Sequence, residues 1–380
     1  MKLINILLIW LLFLFAATTS FAQTGETPIN IFGYFQNQFK QEEDPNRGRE
    51  SNTFLMQQLN LFLQKNLHKN WSAFVNLEFL NSYSSSRNTG AVNLEEAWVK
   101  YRLNKKFNLK LGLMIPTFNH LNRIKNRTPI LPYIVRPLIY ESSLSEVVPV
   151  DEFTPSRAFV EVNGILPTVN KLKFDYAVFA GNSPNISTLY QPGQSGADTT
   201  ATFLLGGRIG LRFNELKLGF SSTYDKDSRF QSRFQDLTEF DFTEIPRLRL
   251  GLDLSYSYGP FWLQSEFIRL QYDESTDIVN LDKDFIYSTL GWRITDAMIV
   301  YGGFWQTRVH HNRRLGESPD AEFQEYVETT TSPNFGAAYH LSDRIVFKGQ
   351  YVNFDRSNDN PRVPSNPGFK IYSLAVSVSF

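Results

Sequence analysis

The chain has 380 residues, and its 38 Lys and Arg are balanced by 38 Asp and Glu, so its formal net charge at pH 7 is 0. This balance excludes bulk electrostatic attraction to nucleic acid, and we expect no nucleic-acid partner. Cys is absent, so the fold does not depend on disulfide bonds, and a chain of this length buries enough surface without them.

The first 22 residues have the layout of a cleavable export signal. Lys2 supplies a positive start, residues 3–17 form an almost unbroken apolar run, and Ser20 and Ala22 are the small residues of a cleavage site. A retained membrane helix is the alternative, but this run is shorter than the roughly twenty residues that a membrane span needs. We therefore expect residues 1–22 to be a signal peptide and residues 23–380 to form the mature protein.

The dominant pattern in the mature chain is strict alternation of apolar and polar residues. From Arg247 to Tyr258, every second residue is Leu or Tyr, and the residues between them are Arg, Gly, Asp or Ser. A strand separates these two sets onto opposite faces, whereas a helix scatters them. Segments of this kind recur along the chain, and they predict about sixteen strands of a transmembrane antiparallel β-barrel.

The connections between these segments alternate between long and short. The long ones include 41–53, 117–156 and 225–246, and the short ones include 104–107, 259–260 and 342–343. Barrels of the outer membrane have short periplasmic turns and long external loops, whereas soluble sandwiches and solenoids do not alternate in this way. The sequence therefore predicts an outer-membrane location in a Gram-negative bacterium, with outer-membrane lipid and lipopolysaccharide around the barrel.

The last strand ends at the last residue. From Tyr372 to Phe380 the apolar residues alternate with Ser and Ala, and Phe380 closes the pattern. A terminal Phe in such a strand resembles the assembly signal that the barrel insertion machinery recognises. We therefore expect this machinery to be a partner of the chain.

Four segments carry a resemblance to a known family. They are FGYFQNQF at 32–39, LEEAWVKYRLNKKFNLKLGLMIPTF at 94–118, VEVNGIL at 160–166 and FDYAVFAGN at 174–182. These segments resemble strands of Gram-negative outer-membrane porins, and the nearest family is that of the phosphate-selective porins. The resemblance implies a sixteen-stranded barrel, often a homotrimer, whose third loop folds inward. The lysine and arginine ladders that give the family its phosphate selectivity have no residue-by-residue match here.

The third loop, 117–156, is the longest connection, and it carries five of the 18 Pro and an apolar stretch at 129–135. A free surface loop has no reason to be this apolar, and Pro rigidifies it, so we expect the loop to fold into the barrel as a constriction. Packing on a neighbouring subunit or over the barrel mouth is the alternative. Its charges are segregated, with four basic residues before four acidic ones: Arg123, Lys125, Arg127, Arg136, Glu141, Glu146, Asp151 and Glu152.

The inward faces of the predicted strands carry more basic than acidic residues. The eleven basic residues are Lys100, Arg102, Lys110, Lys173, Arg208, Arg212, Lys217, Arg247, Arg249, Arg293 and Lys348. The six acidic residues are Glu78, Glu96, Glu161, Asp175, Asp253 and Glu266. Charge in a low-dielectric wall concentrates counter-ions, so this excess predicts passive diffusion of small anionic or neutral solutes with a mild preference for anions. Among these, Lys100, Arg102, Arg208, Arg212, Arg247 and Arg249 are the leading candidates for the lumen wall.

Catalytic chemistry finds no support in the sequence. The five His residues do not form a metal-ligand spacing or a Ser/His/Asp set, and His310 and His311 fall in a predicted loop. We expect neither an enzyme nor a cofactor nor a metal site. The main alternative to a porin is a non-conducting outer-membrane barrel that serves as the scaffold of an envelope complex. A channel for hydrophobic solutes conflicts with the polar lumen, and an energised transporter would need a plug domain before the first strand.

Overall fold

A computed structural model describes residues 28–44, 49–80, 91–127, 131–141, 153–155, 157–168, 171–183, 202–227, 245–272, 282–314, 323–360 and 368–380. The predicted signal peptide lies outside these residues. No helix in the described part of the chain is long and apolar enough to cross a membrane.

The described residues form a closed antiparallel barrel of sixteen strands, in which each strand pairs with its neighbours in the chain and β1 pairs with β16. The predicted fold is therefore confirmed. The strands are β1 Asn30–Asp44, β2 Arg49–His68, β3 Trp71–Leu80, β4 Ala91–Arg102, β5 Asn108–Met114, β6 Ala158–Pro167, β7 Leu172–Gly181, β8 Leu204–Phe213, β9 Leu216–Asp227, β10 Ile245–Tyr258, β11 Phe261–Tyr272, β12 Asp282–Arg293, β13 Met298–Arg314, β14 Phe323–His340, β15 Ile345–Asn358 and β16 Phe369–Ser379.

The two faces of the wall differ as the alternation predicts. In β10, Arg247, Arg249 and Asp253 are buried and point inward, whereas Leu252 between them points outward and is 53% exposed. Ile209 and Leu374, on distant strands, are each 64% exposed on the same outer face. An apolar belt of this kind is stable when lipid covers it, and a water-filled interior accepts the polar face.

The short turns and Phe380 lie at the same end of the barrel. Phe380 closes the seam between β16 and β1, because Phe380 N donates to Gly33 O and Gly33 N donates to Phe380 O, both at 3.0 Å. At the opposite end the strands are longer than the alternation predicted. The placement of His310 and His311 in a loop was wrong, since β13 continues through both residues in its hairpin with β14.

The strand pairing shifts register at four places in the described residues. One shift, between Asn66 and His68 of β2, lies beside the short turn to β3, and the other three are β-bulges near the third loop. Gln36 opposes Gln58 while Asn37 opposes Met56, so Gln57 is an extra residue in β2. Glu95 is likewise an extra residue in β4, because Asn76 opposes Glu96 while Leu77 opposes Leu94. The third bulge lies at Gly112 in β5. A bulge redirects the side chain of the extra residue. Gln57 and Glu95 accordingly point into the barrel and contact the third loop.

Candidate functional site: the third loop and the inner wall

The third loop begins at β5 and runs across the interior of the barrel. Three of its backbone N–H groups donate to wall side chains on different strands: Thr117 to Glu161 of β6 at 3.0 Å, Asn119 to Ser221 of β9 at 3.0 Å, and Leu121 to Glu266 of β11 at 2.7 Å. The hydroxyl of Tyr140, later in the loop, donates to the other oxygen of Glu266 at 2.6 Å. These anchors fix the first part of the loop against one side of the wall.

The tip of the loop, which we define as residues 131–135, reaches the opposite side. Lys348 of β15 donates to Leu131 O at 2.8 Å, and Gln350 of β15 accepts from the N–H groups of Ile134 and Val135 at 2.8 and 2.7 Å. Gln57 of β2 donates to Ile134 O at 2.9 Å. The described part of the loop therefore spans the interior from β5 and β6 to β15 and β2.

Apolar packing fills the space between the loop and one sector of the wall. Tyr133 contacts Tyr301 of β13 edge-to-face with ring centroids 5.3 Å apart, and Phe153 contacts Phe285 of β12 at 6.2 Å. Most wall members of this buried cluster lie on β10 to β16: Ile245, Ile268, Leu270, Tyr272, Phe285, Tyr287, Tyr301, Trp305, Val352, Phe354 and Ile371. The apolar stretch of the loop is thus matched by an apolar sector inside the barrel.

Arg136 and Glu141, two of the predicted constriction residues, form a buried ion pair within the loop. Arg136 Nε lies 3.2 Å from Glu141 Oε2, and the guanidinium also donates to Lys125 O at 2.8 Å and to Asn126 Oδ1 at 3.1 Å. Burial disfavours the charged guanidinium, but the Glu141 carboxylate more than offsets this and raises the pKa of Arg136 above its ordinary value. This pair holds the shape of the loop and does not present its charge to water.

The other basic residues of the loop differ in exposure. Arg123 and Arg127 are exposed, whereas Lys125 is half-buried, with its Nζ 5.9 Å from the ring centroid of Tyr140. Arg123 lies within electrostatic range of Glu161, Arg127, Arg208 and Arg212, and burial among the surrounding barrel atoms lowers its pKa although its side chain contacts water. An exposed side chain inside an enclosing wall faces an aqueous cavity. Glu146, Asp151 and Glu152 lie outside the described residues.

His120 lies beside this basic group. The side chain is half-buried, and burial lowers its pKa to about 4, against the opposing effect of Asp253. His120 is therefore neutral at pH 7 and adds no positive charge there. The basic character of this region comes from Arg and Lys alone.

Four arginines of the predicted lumen wall, on β8 and β10, are paired with carboxylates. Arg208 forms ion pairs with two carboxylates: its Nη1 lies 2.5 Å from Asp175 Oδ1 of β7, and its Nη2 lies 2.7 Å from Asp253 Oδ1 of β10. Arg212 Nε pairs with the second oxygen of Asp175. At the other end of the barrel, Asp225 lies 2.8 Å from Arg247 and 3.0 Å from Arg249. The charge excess counted from the sequence omitted Asp225, because the predicted strand ended one residue earlier.

Three further basic residues of the predicted wall, Lys100, Arg102 and Lys110, lie on β4 and β5. The Nζ atoms of Lys100 and Lys110 lie 5.6 and 4.9 Å from the ring centroid of Trp98, and Lys110 also lies 3.8 Å from Glu161. Arg102 is exposed near the turn end of β4. Lys100, Lys110 and Arg123 interact electrostatically, so basic residues of the wall and of the loop face the same space.

Carboxylates oppose the loop on the neighbouring strands. Asn126 Nδ2 of the loop donates to Glu95 at 2.9 Å, and Glu78 of β3 lies within electrostatic range of Glu95, Lys125 and Arg136. Sequence reasoning missed Glu95, since simple alternation places it on the outer face and only the bulge turns it inward. In the described part of the chain, no three His, Cys, Asp or Glu residues are grouped to hold a metal ion.

A closed sixteen-stranded barrel with an apolar exterior and a charged interior defines the class of outer-membrane porins. Residues 29–135 match the sequence model of the family described as phosphate-selective porin O and P. The prediction of a Gram-negative outer-membrane porin that resembles this family is confirmed. No curated protein sequence matches the chain.

Solved porin structures share this fold over nearly their whole length. The outer-membrane channel DcaP of Acinetobacter baumannii has a TM-score of 0.61 at 9% identity, with 95% of this chain and 99% of that chain covered. OmpT of Vibrio cholerae and the OmpF–daunomycin complex of Salmonella typhi each have a TM-score of 0.56, at 10% and 12% identity, with 93% of this chain and 97% of theirs covered. The family match and the shared fold support an outer-membrane location and a porin role, and they suggest a non-enzymatic channel.

Proposed function

We propose that the chain mediates passive diffusion of small hydrophilic solutes with a mild preference for anions. The third loop, 119–155, acts as the constriction, and solutes pass between this loop and the wall sector formed by β4 to β9. The exposed side chains of Arg123 and Arg127 carry the proposal. Arg123 lies within electrostatic range of Arg208 and Arg212, and Arg127 lies within electrostatic range of Glu96 and Lys110 on β4 and β5.

The two wall sectors that flank the loop differ in polarity, which favours a route on the side of β4 to β9. Toward β10 to β16 the loop packs against a cluster of buried Tyr, Trp, Phe and aliphatic side chains. Toward β4 to β9 the inward residues include exposed Arg102, Lys173 and Lys217, which are accessible to water. Basic groups in a narrow passage attract an anion more strongly than they would in bulk water.

The pairing of the arginines favours a mild preference over a tight phosphate site. Asp175 and Asp253 neutralise much of the charge of Arg208, and Glu161 lies beside Lys110. Several moderate sites also allow passage where one tight site would trap the solute. Phosphate remains a solute to test, because the matched family is described as phosphate-selective.

Planar-bilayer measurements with the purified protein test this function. We expect ion-conducting channels whose reversal potential in a salt gradient indicates anion preference. The double variant Arg123→Gln and Arg127→Gln should shift this potential toward cations, whereas Arg269→Gln should not. Arg269 is the control on the outer face, where it pairs with Asp284 at 2.8 Å. Its loss of one charge is matched by the single variant Arg123→Gln, which should still shift the potential toward cations. A cation-selective wild-type channel would contradict the proposed role of the basic residues.

The second candidate function is a non-conducting barrel that acts as a scaffold or partner of an envelope complex. The observation that favours it is the loop itself, which contacts strands on opposite sides of the interior. Absence of conductance from folded, heat-modifiable protein would favour this function over diffusion.

The assembly state also belongs to the proposal. One structural neighbour is a trimer form of OmpT, which supports a homotrimer in outer-membrane lipid and lipopolysaccharide for this chain. Cross-linking in intact outer membranes tests this, and a band at three times the monomer mass is expected. We further propose that residues 1–22 are removed on export, which N-terminal sequencing of the mature protein tests.

A further inference from the structure

The tip of the third loop is bound through its backbone by polar side chains of the wall. Gln350 accepts from Ile134 N and Val135 N and donates to Val135 O at 3.0 Å. Lys348 donates to Leu131 O and to Tyr133 O, at 2.8 and 3.4 Å, and Gln57 donates to Ile134 O. Three wall side chains thus satisfy six backbone groups, as a neighbouring strand would.

These side chains are themselves held in place. Gln36 of β1 donates its amide N–H to Gln57, and its oxygen accepts from Lys348 Nζ at 3.2 Å and from Ser377 Oγ at 2.6 Å. Gln36, Lys348 and Gln350 are all buried, and Gln57 is the extra residue of a β-bulge that turns it inward. Gln36 therefore links Lys348 and Gln57 in one hydrogen-bonded network, and Gln350 joins it through the backbone of the tip.

We propose that Lys348, Gln350 and Gln57 are positioning residues that fix the width of the solute passage, and we call them the latch. They act through the loop and do not line the passage. Their strands, β15 and β2, lie about half-way around the ring of strands from β8 and β9, where Arg208 and Arg212 stand. By holding the tip on the far wall, the latch keeps Arg123 and Arg127 at a fixed distance from these arginines. The inference rests on the proposed function.

The hydrogen bonds to the wall fix the position of the tip more precisely than apolar packing alone would. The side chains of Leu131, Tyr133 and Val135 pack in the buried cluster, but such packing tolerates small sliding movements. A buried N–H that loses its acceptor is costly, so each backbone group of the tip has one favourable position. Loss of the latch should therefore make the tip mobile while the barrel stays folded.

A cysteine reporter measures this mobility directly, because the chain has no Cys of its own. Val135→Cys places a single thiol on the tip, where the native side chain is 4% exposed. Combined with Gln350→Ala, this thiol should react with a water-soluble maleimide about tenfold faster, which corresponds to the loss of about one net hydrogen bond. Single-channel recordings of the same variant should show an added level of higher conductance and a weaker anion preference.

Gln38→Ala is the matched control, since Gln38 is a buried, inward glutamine of β1 that donates to Ser373 Oγ at 2.8 Å. The control should leave labelling and conductance unchanged, and Gln350→Glu, which keeps the acceptor, should restore part of the slow labelling. If Gln350→Ala does not fold, Lys348→Met provides the same test. Labelling and conductance equal to those of the control would overturn the latch. Faster labelling in a protein that never conducts would support the latch and contradict the diffusion function.

Discussion

Individual ion pairs set the electrostatics of the inner wall. Arg208, Arg212, Arg247 and Arg249 each reach a carboxylate on an adjacent strand, and Arg208 also reaches Asp253 one strand further. Removing one member of a buried pair leaves a charge without compensation, which typically costs about 3–5 kcal/mol. The wall charges are therefore coupled to one another, and a change at one carboxylate affects the passage through its arginines.

Asp175→Asn should increase the anion preference of the channel. Asp175 compensates both Arg208 and Arg212, so its neutralisation leaves more positive charge facing the water. The reversal potential in a salt gradient measures the change, which should be toward anions. Asp284→Asn on the outer face is the control with the same change of charge. An unchanged or cation-shifted potential for Asp175→Asn would show that the passage lies elsewhere.

His120 should make the stability of the fold sensitive to mild acid. Its folded-state pKa is about 4, below the ordinary 6.5, because burial disfavours the imidazolium. Between these values the unfolded chain binds a proton that the folded chain does not, so the free energy of unfolding falls as the pH drops from about 6.5 to about 4. The loss should stay below about 3 kcal/mol, since part of the side chain contacts water.

Denaturant unfolding of the wild type and of His120→Gln measures this effect. The difference in unfolding free energy between the two proteins should change from pH 7 to pH 4.5, because Gln does not titrate. The contributions of all other titratable groups are the same in both proteins and cancel in this difference. A difference that stays constant over this range would mean that His120 titrates normally.

Strands and bulges differ in how far the sequence predicts them. Alternation placed the inward faces correctly at Arg208, Arg247 and Lys348, because a half-buried strand must separate its polar and apolar residues. It missed the inward turn of Gln57 and Glu95, because a bulge depends on the partner strand. At the Gly112 bulge the backbone has φ +118°, and an added Cβ would collide with Ala97 O, which explains the glycine after the fact.

Phe380, which follows β16 at the seam of the barrel, is expected to be needed for assembly. Phe380→Asp should reduce the amount of heat-modifiable barrel in the outer membrane while export continues. Phe380 bonds Gly33 through both backbone groups, and its ring lies against Gly33 on the lipid-facing side of the seam. A charge there is costly in lipid and removes the apolar end of the predicted assembly signal.

Ser379→Asp is the control for Phe380→Asp, because it adds the same charge one residue earlier on the inward side of β16. Barrel levels should remain near those of the wild type in this variant. Equal levels for Phe380→Asp and the wild type would show that the terminal Phe is dispensable.

At the scale of the whole molecule, the barrel and its third loop share one core. The sequence predicted a loop folded inward from its length, its Pro residues and its apolar stretch. It did not predict the destination of the tip, since Lys348 and Gln350 are more than 200 residues away along the chain. Nor did it distinguish Arg136, which is buried with Glu141, from Arg123, which is exposed. Both depend on contacts between distant segments, which a single sequence does not record.

Replacement of residues 125–141 by a short Gly–Ser linker should therefore lower the stability of the whole barrel. The replacement removes Arg136 together with Glu141, so this buried ion pair is lost as a whole, while Lys348 and Glu266 of the wall lose hydrogen-bond partners in the loop. It exposes Tyr301, Trp305 and other wall residues of the buried cluster to water in the lumen. Each large apolar side chain contributes about 1.5–3 kcal/mol when fully buried, so the loss of several such contacts is large against a typical stability of about 5–15 kcal/mol.

Heat-modifiability on gels, measured against temperature, reports this loss. The truncated barrel should unfold at a lower temperature than the wild type, and any channels that form should conduct more. A replacement of similar length within 229–243, between β9 and β10, controls for the shortening of a connection. If both replacements melt like the wild type while only the first widens the channel, the loop is an addition to an independently stable barrel. A lower unfolding temperature for the 125–141 replacement alone would mean that the apolar wall residues of β10 to β16 must be covered by the loop for the barrel to be fully stable.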